Sequence, residues 1–166
     1  KLVNHRLIHT MEARQALKKL RISAALYALG SYLAIGWLFT MLTEIQGTLY
    51  ALKWALQASV IMLLQAISLW RILPLNHHHK GADPLARFGP GNIMTLIRGT
   101  LIALLTGFLF LEPLPGFWAW LPAIFYLISD LTDFLDGYLA RLTDTVTQLG
   151  STLDMNNDAL GVLVAT

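Results

Sequence analysis

The chain has 166 residues, of which 55% are hydrophobic and only 13% charged, against about 25% charged in soluble domains, and its mean hydropathy is +0.56. Together with four long apolar stretches, that balance excludes an ordinary soluble domain and predicts an all-α, polytopic transmembrane helix bundle. The net charge is only +2, and the absence of cysteine excludes disulfides, thiolate metal sites and cysteine nucleophiles.

Residues 1–21 carry Lys1, Arg6, Arg14, Lys18, Lys19 and Arg21 against the single acid Glu12. Leu2, Leu7, Ile8, Met11, Leu17 and Leu20 are interspersed, a pattern that suits an amphipathic surface helix or the basic flank of a first transmembrane helix. No small-residue cleavage site follows, so no cleavable signal peptide is read here. Ile22–Thr43 is long enough to cross ~30 Å of hydrocarbon. A short loop over 44–47 leads to a second span from Thr48 to about Trp70, so 22–73 forms a two-helix extension. Within it Lys53 can snorkel to the interface, and Gln57 and Gln65 are expected to bond between helices.

A polar connection over 71–91 contains the run His77–His79, which reads as exposed or interfacial rather than as a metal site. Further spans are expected from Asn92 to about Leu111 and from Trp118 to about Ala140, joined by a turn with interfacial aromatics. A fifth helix starts near Gly150 and runs to the apolar end of the chain, so the sequence reads as a piece of a longer protein. Eleven of the twelve basic residues, all but Lys53, fall in 1–21, 71–98 and 141. With sequential crossings these segments share one side, and the positive-inside rule makes it cytoplasmic, N-terminus included.

Six of the ten acids lie between 130 and 158, and carboxylates at membrane depth are costly and usually functional. Asp133 and Asp136 are spaced i, i+3 at the cytoplasmic end of the fourth span, and Asp154 and Asp158 are i, i+4 at the start of the fifth helix. Each pair shares a helix face. Two antiparallel helices joined by a short loop would bring the pairs together, and four facing carboxylates would need divalent, oxygen-loving cations such as Mg²⁺ or Mn²⁺. Two such ions ~3.5–4 Å apart form a clamp for displacement at phosphorus. Gly137 leaves room for a ligand beside the helix, and Arg141 suits a phosphate or diphosphate. Asp130 and Asp144 are read as interfacial or solvated.

The stretch Asp133-Phe-Leu-Asp136-Gly137-Tyr-Leu-Ala140-Arg141, then eight residues, then Gly150-Ser-Thr-Leu-Asp154-Met-Asn-Asn-Asp158, resembles the signature of the CDP-alcohol phosphotransferase (CDP-alcohol phosphatidyltransferase) family, D-x2-D-G-x2-A-R-x8-G-x3-D-x3-D. All eight fixed positions and every spacer match. Asn92-Ile-Met-Thr95-Leu-Ile-Arg98 is similar to the family's Asn-x-x-Thr-x-x-Arg stretch, although Arg98 reads equally as a snorkelling interfacial side chain. The resemblance covers about 88–166, the first half of a six-helix core whose remaining helices lie outside this sequence.

The resemblance implies an integral membrane transferase of phospholipid biosynthesis. Such an enzyme moves a phosphatidyl or similar group from a CDP-linked donor, such as CDP-diacylglycerol, to an alcohol, and releases CMP. It implies that Asp133, Asp136, Asp154 and Asp158 bind two Mg²⁺ or Mn²⁺ ions, with Asp158 also the base on the acceptor hydroxyl. It further implies that Gly137, Arg141, Thr147, Asn92 and Thr95 line the nucleotide-diphosphate site. A homodimer in a bacterial inner membrane, with a cytoplasmic active site and no nucleic-acid partner, is the corresponding expectation. One departure bears on the acceptor: Met155-Asn156-Asn157 stands where many bacterial glycerophosphate-using members resemble Pro-Leu-Ala. The asparagines either contact substrate or face a polar cavity.

Three rivals are weaker. An intramembrane prenyltransferase also holds a diphosphate on aspartate-bound Mg²⁺, but on well-separated helices and with no role for Gly-x-x-Ala-Arg. A cation transporter calls for carboxylates near mid-membrane on several helices, whereas these gather at one face. A non-catalytic scaffold has no use for the intact signature.

Overall fold

The structure is a computed structural model that describes residues 2–77, 85–143 and 146–165, with side-chain surroundings for 11–77, 85–143 and 146–162. His78, His79 and Asp144 lie outside the described residues. Those that are described form five α-helices and no strand: α1 (Leu2–Gln46), α2 (Thr48–Ile72), α3 (Pro90–Thr106), α4 (Leu121–Leu142) and α5 (Gln148–Ala165).

α1 is unbroken across Arg21 and Ile22, so the basic segment is the first part of the same helix that makes the first apolar span. The turn into α2 is a single residue, Gly47, at φ 88°. Only glycine takes that conformation without strain, and it lets α2 fold straight back along α1. Both helices are long and apolar enough to cross a membrane. Their outer surfaces carry Leu26, Leu29, Leu33, Trp37, Leu52, Leu56 and Leu63, all exposed. A helix apolar on its outward face as well as its packed face suits lipid rather than water.

The α1–α2 pair packs on the following helices through two apolar clusters. Leu38 and Leu42 of α1 meet Trp54 and Met62 of α2 and Ala103 and Leu104 of α3. Leu20 and Ala24 of α1 meet Leu69 of α2, Leu96 of α3 and Leu149 and Leu153 of α5. Interhelical hydrogen bonds accompany them: the Tyr27 hydroxyl donates to the Leu96 carbonyl at 3.0 Å, and the Ser31 and Thr100 hydroxyls lie 2.9 Å apart. Such pairs are the expected polar glue between helices in lipid.

α3 is the central element. It packs against α4, α5 and α2, whereas α4 and α5 each pack chiefly on α3 rather than on one another. The expected α4–α5 hairpin is therefore replaced by three helices with α3 in the middle. Small residues make this possible. A Cβ on Gly91 would fall 2.7 Å from the Ala140 Cβ, and one on Gly107 would fall 2.6 Å from the Trp54 indole nitrogen. Close approach through glycine is a common device between membrane helices.

The expected bounds shift for local reasons. α3 stops at Thr106, five residues before Leu111, because the chain turns after Gly107 and Phe110 takes φ 62°. Residues 116–120 form a 3₁₀ turn before α4, which begins with Pro122 in its first turn. α5 begins two residues before Gly150.

Candidate metal centre

Asp133 sits on α4 and Asp154 and Asp158 on α5, and one carboxylate oxygen from each lies within 4.8 Å of the others. What joins them is Arg98 of α3. Its Nη1 lies 2.5 Å from Asp133 Oδ1 and 2.9 Å from Asp154 Oδ1, and its Nη2 lies 2.7 Å from Asp158 Oδ1. The guanidinium side chain is only 8% exposed, whereas the three carboxylates are 43–60% exposed. Arg98 thus lies beneath the trio, which opens outward. Its Nε is buried and has no hydrogen-bond partner among the described residues.

Asp136 stands apart from this trio. It is buried, and its Oδ2 accepts a 2.9 Å hydrogen bond from the Thr95 hydroxyl. That hydroxyl also lies 3.1 Å from the carbonyl of Gly91. Asp136 and Asp154 line a cavity of about 130 Å³ together with Asn92, Thr95, Gly137, Arg141 and Thr147. All five residues expected to meet the nucleotide diphosphate thus border one space. The Arg141 guanidinium lies over Gly137, 3.4 Å from where a Cβ would project. The cavity is smaller than the ~300–1,000 Å³ of a whole small-molecule site, and its size suits the phosphate end of a ligand.

Two of those five are also structural. Thr147 precedes α5, and its hydroxyl accepts from the Gly150 N–H at 3.0 Å, a helix N-cap. Asn92 donates from Nδ2 to that hydroxyl at 3.1 Å and to Asn76 Oδ1 at 3.2 Å. Both side chains are buried. They tie the start of α5 to the start of α3 and so set the height of Asp154 and Asp158 against Arg98. Asp130 is exposed, in keeping with a solvated or interfacial position.

The donor set fits a hard divalent cation. It is all oxygen, it gathers carboxylates from two helices, and a single guanidinium against three carboxylates leaves an excess of negative charge. For Arg98 the sequence left two readings even, part of the family stretch or a snorkelling side chain, since an arginine near a helix end looks the same whether it snorkels or turns inward. The only available signal was its spacing from Asn92 and Thr95.

The fold and site together define an all-helical protein with two membrane-length helices and an acidic site built on its last three described helices. Residues 90–166 match the family model described as CDP-alcohol phosphatidyltransferase. No curated protein and no solved structure matches the chain.

Proposed function

We propose that the protein transfers a phosphatidyl or similar substituted phosphate from a CDP-linked lipid, such as CDP-diacylglycerol, to an alcohol, with release of CMP. The family domain supports phosphatidyl transfer. The observation that carries the finer reading is the convergence of Asp133, Asp154 and Asp158 beside the cavity that holds Asp136, Gly137 and Arg141.

In this reading Asp133, Asp154 and Asp158 hold a pair of Mg²⁺ or Mn²⁺ ions, with Asp136 reaching them from the adjoining cavity. Bound divalent cations neutralise a diphosphate and stabilise the leaving phosphate. Arg141 lies over Gly137 and pairs with the donor's phosphates, and Asn92 and Thr95 shape the nucleotide side. Thr95 also fixes the orientation of the Asp136 carboxylate through its hydroxyl. Asp158, the most exposed carboxylate of the trio, takes the proton of the acceptor hydroxyl as it attacks phosphorus. The site faces the cytoplasm, where a water-soluble nucleotide head can enter while the lipid tail stays in the bilayer.

The test is CMP formation from CDP-diacylglycerol by the full-length protein with Mn²⁺ or Mg²⁺, across a set of alcohols. Asp158→Asn is expected to lower kcat by about 10²–10⁴-fold, the range for loss of a general base. Metal-independent CMP release, or an unimpaired Asp158→Asn enzyme, would contradict the reading.

A further inference from the structure

A second and larger cavity, of about 320 Å³, lies on the α2 side of α3 and α5. Its polar lining is Tyr27 from α1, Gln65 and Ser68 from α2, Thr95 from α3 and Asn156 and Asn157 from α5, and the rest is mainly leucine. No charged side chain among the described residues borders it.

Gln65 is the group that points to a ligand. Both its Nε2 and its Oε1 are buried, and neither has a hydrogen-bond partner among the described residues. The expected bond between helices is not made. A buried amide with donor and acceptor both unpaired is costly, and an apolar residue of the same size would be cheaper there. Its neighbours, by contrast, are held in place. Asn156 Nδ2 donates to Ser68 Oγ at 3.2 Å, and Asn157 Nδ2 donates to the Thr95 carbonyl at 2.8 Å. Gly99 keeps the space between them open, since a Cβ there would lie 3.3 Å from both Gln65 Oε1 and Asn157 Oδ1.

The chemistry of this lining selects its occupant. Gln65 offers one donor and one acceptor side by side, the complement of hydroxyl groups, which both give and take a hydrogen bond. A charged ligand would enter without a counter-charge and lose its hydration. The cavity also adjoins the acidic site. Thr95 borders both cavities, and on α5 Asn157 faces this one while the next residue, Asp158, belongs to the carboxylate trio.

We propose that this cavity receives the acceptor alcohol, that the acceptor is an uncharged polyol, and that Gln65 and Ser68 make the α1–α2 extension part of its specificity site. The proposal rests on the transfer reading above. In the step it serves, the acceptor oxygen bonds to the donor phosphorus and its proton passes to the Asp158 carboxylate. The bond from that phosphorus to the diphosphate bridging oxygen breaks, and CMP departs with that oxygen. The asparagines at 156 and 157, which stand where a different tripeptide is common, belong to this acceptor site.

Two readouts on the full-length protein in nanodiscs separate this proposal from the reading it rests on. The chain has no cysteine, so Ser68→Cys places one thiol in the cavity wall. Glycerol or myo-inositol should slow its maleimide labelling, and glycerol 3-phosphate or serine should not. In turnover, Gln65→Leu should raise KM for the accepted polyol by about tenfold or more. KM for CDP-diacylglycerol and the affinity for Mn²⁺ should stay unchanged. Leucine matches glutamine in size and removes an unpaired amide, so the fold is retained. Labelling indifferent to neutral polyols, preference for a charged alcohol, or equal shifts in both KM values would overturn the proposal. CMP release without protection contradicts the cavity assignment alone. Protection without CMP release contradicts the transfer reading and the acceptor role with it.

Discussion

Arg98 pairs one buried guanidinium with carboxylates from two other helices, and that arrangement has consequences for stability. Removing the cation leaves three acidic groups facing each other. Loss of one partner from a fully buried pair costs about 3–5 kcal/mol, but these carboxylates are 43–60% exposed, and water screens such pairs. Arg98→Ala is therefore expected to destabilise the metal-free protein by about 1–2 kcal/mol. Mn²⁺ should restore more of the melting temperature in the variant than in the parent, read by thermal unfolding in detergent with and without chelator. A variant as stable as the parent without metal would show that the contacts carry no net energy. The same residue marks a limit of sequence reading. The aspartates were legible because helical spacing fixes which of them share a face. Arg98 was not, since its direction depends on α4 and α5 packing on either side of α3.

At the scale of elements, α3 decides where the acidic groups meet, and its packing depends on having no side chain at Gly91. A Cβ there would overlap Ala140 and approach the Asp136 carbonyl to 2.9 Å. Gly91→Val is expected to cost about 1–3 kcal/mol, the range for overpacking. It should also weaken Mn²⁺ binding by moving α4, and Asp133 with it, away from α5. Equal Mn²⁺ affinity in a folded Gly91→Val protein would show that the α3–α4 approach does not set the site. Helix existence and order were readable from apolar runs and turn residues. The end of α3 was not, because the close approach of Gly107 and Trp54 joins residues far apart in sequence. The pairing of α4 and α5 through α3 was hidden for the same reason: a short connection implies a hairpin only when no third helix intervenes.

For the whole molecule, the placement of basic residues predicts a topology in which residues 1–21, 71–98 and 141 share the cytoplasmic side. In intact cells, a membrane-impermeant maleimide should label Glu112→Cys from outside and leave Arg87→Cys unlabelled until the membrane is opened. The reverse pattern would place the acidic site on the outer face and remove it from cytoplasmic nucleotide. The α1–α2 extension was legible as two spans. Its proposed tie to the site was not, because Gln65 in a leucine-rich helix carries no sign of which neighbour it faces.

The Mn²⁺ predictions and the transfer reading depend on the carboxylates of α4 and α5 acting as one cation site. The most direct test is equilibrium Mn²⁺ binding to the full-length protein, followed by electron paramagnetic resonance. About two Mn²⁺ per chain, with the broadened spectrum of ions a few ångströms apart, are expected, and Asp154→Asn should abolish the coupled signal. No Mn²⁺ binding by the folded protein, or an Asp154→Asn variant that binds as the parent does, would contradict the account.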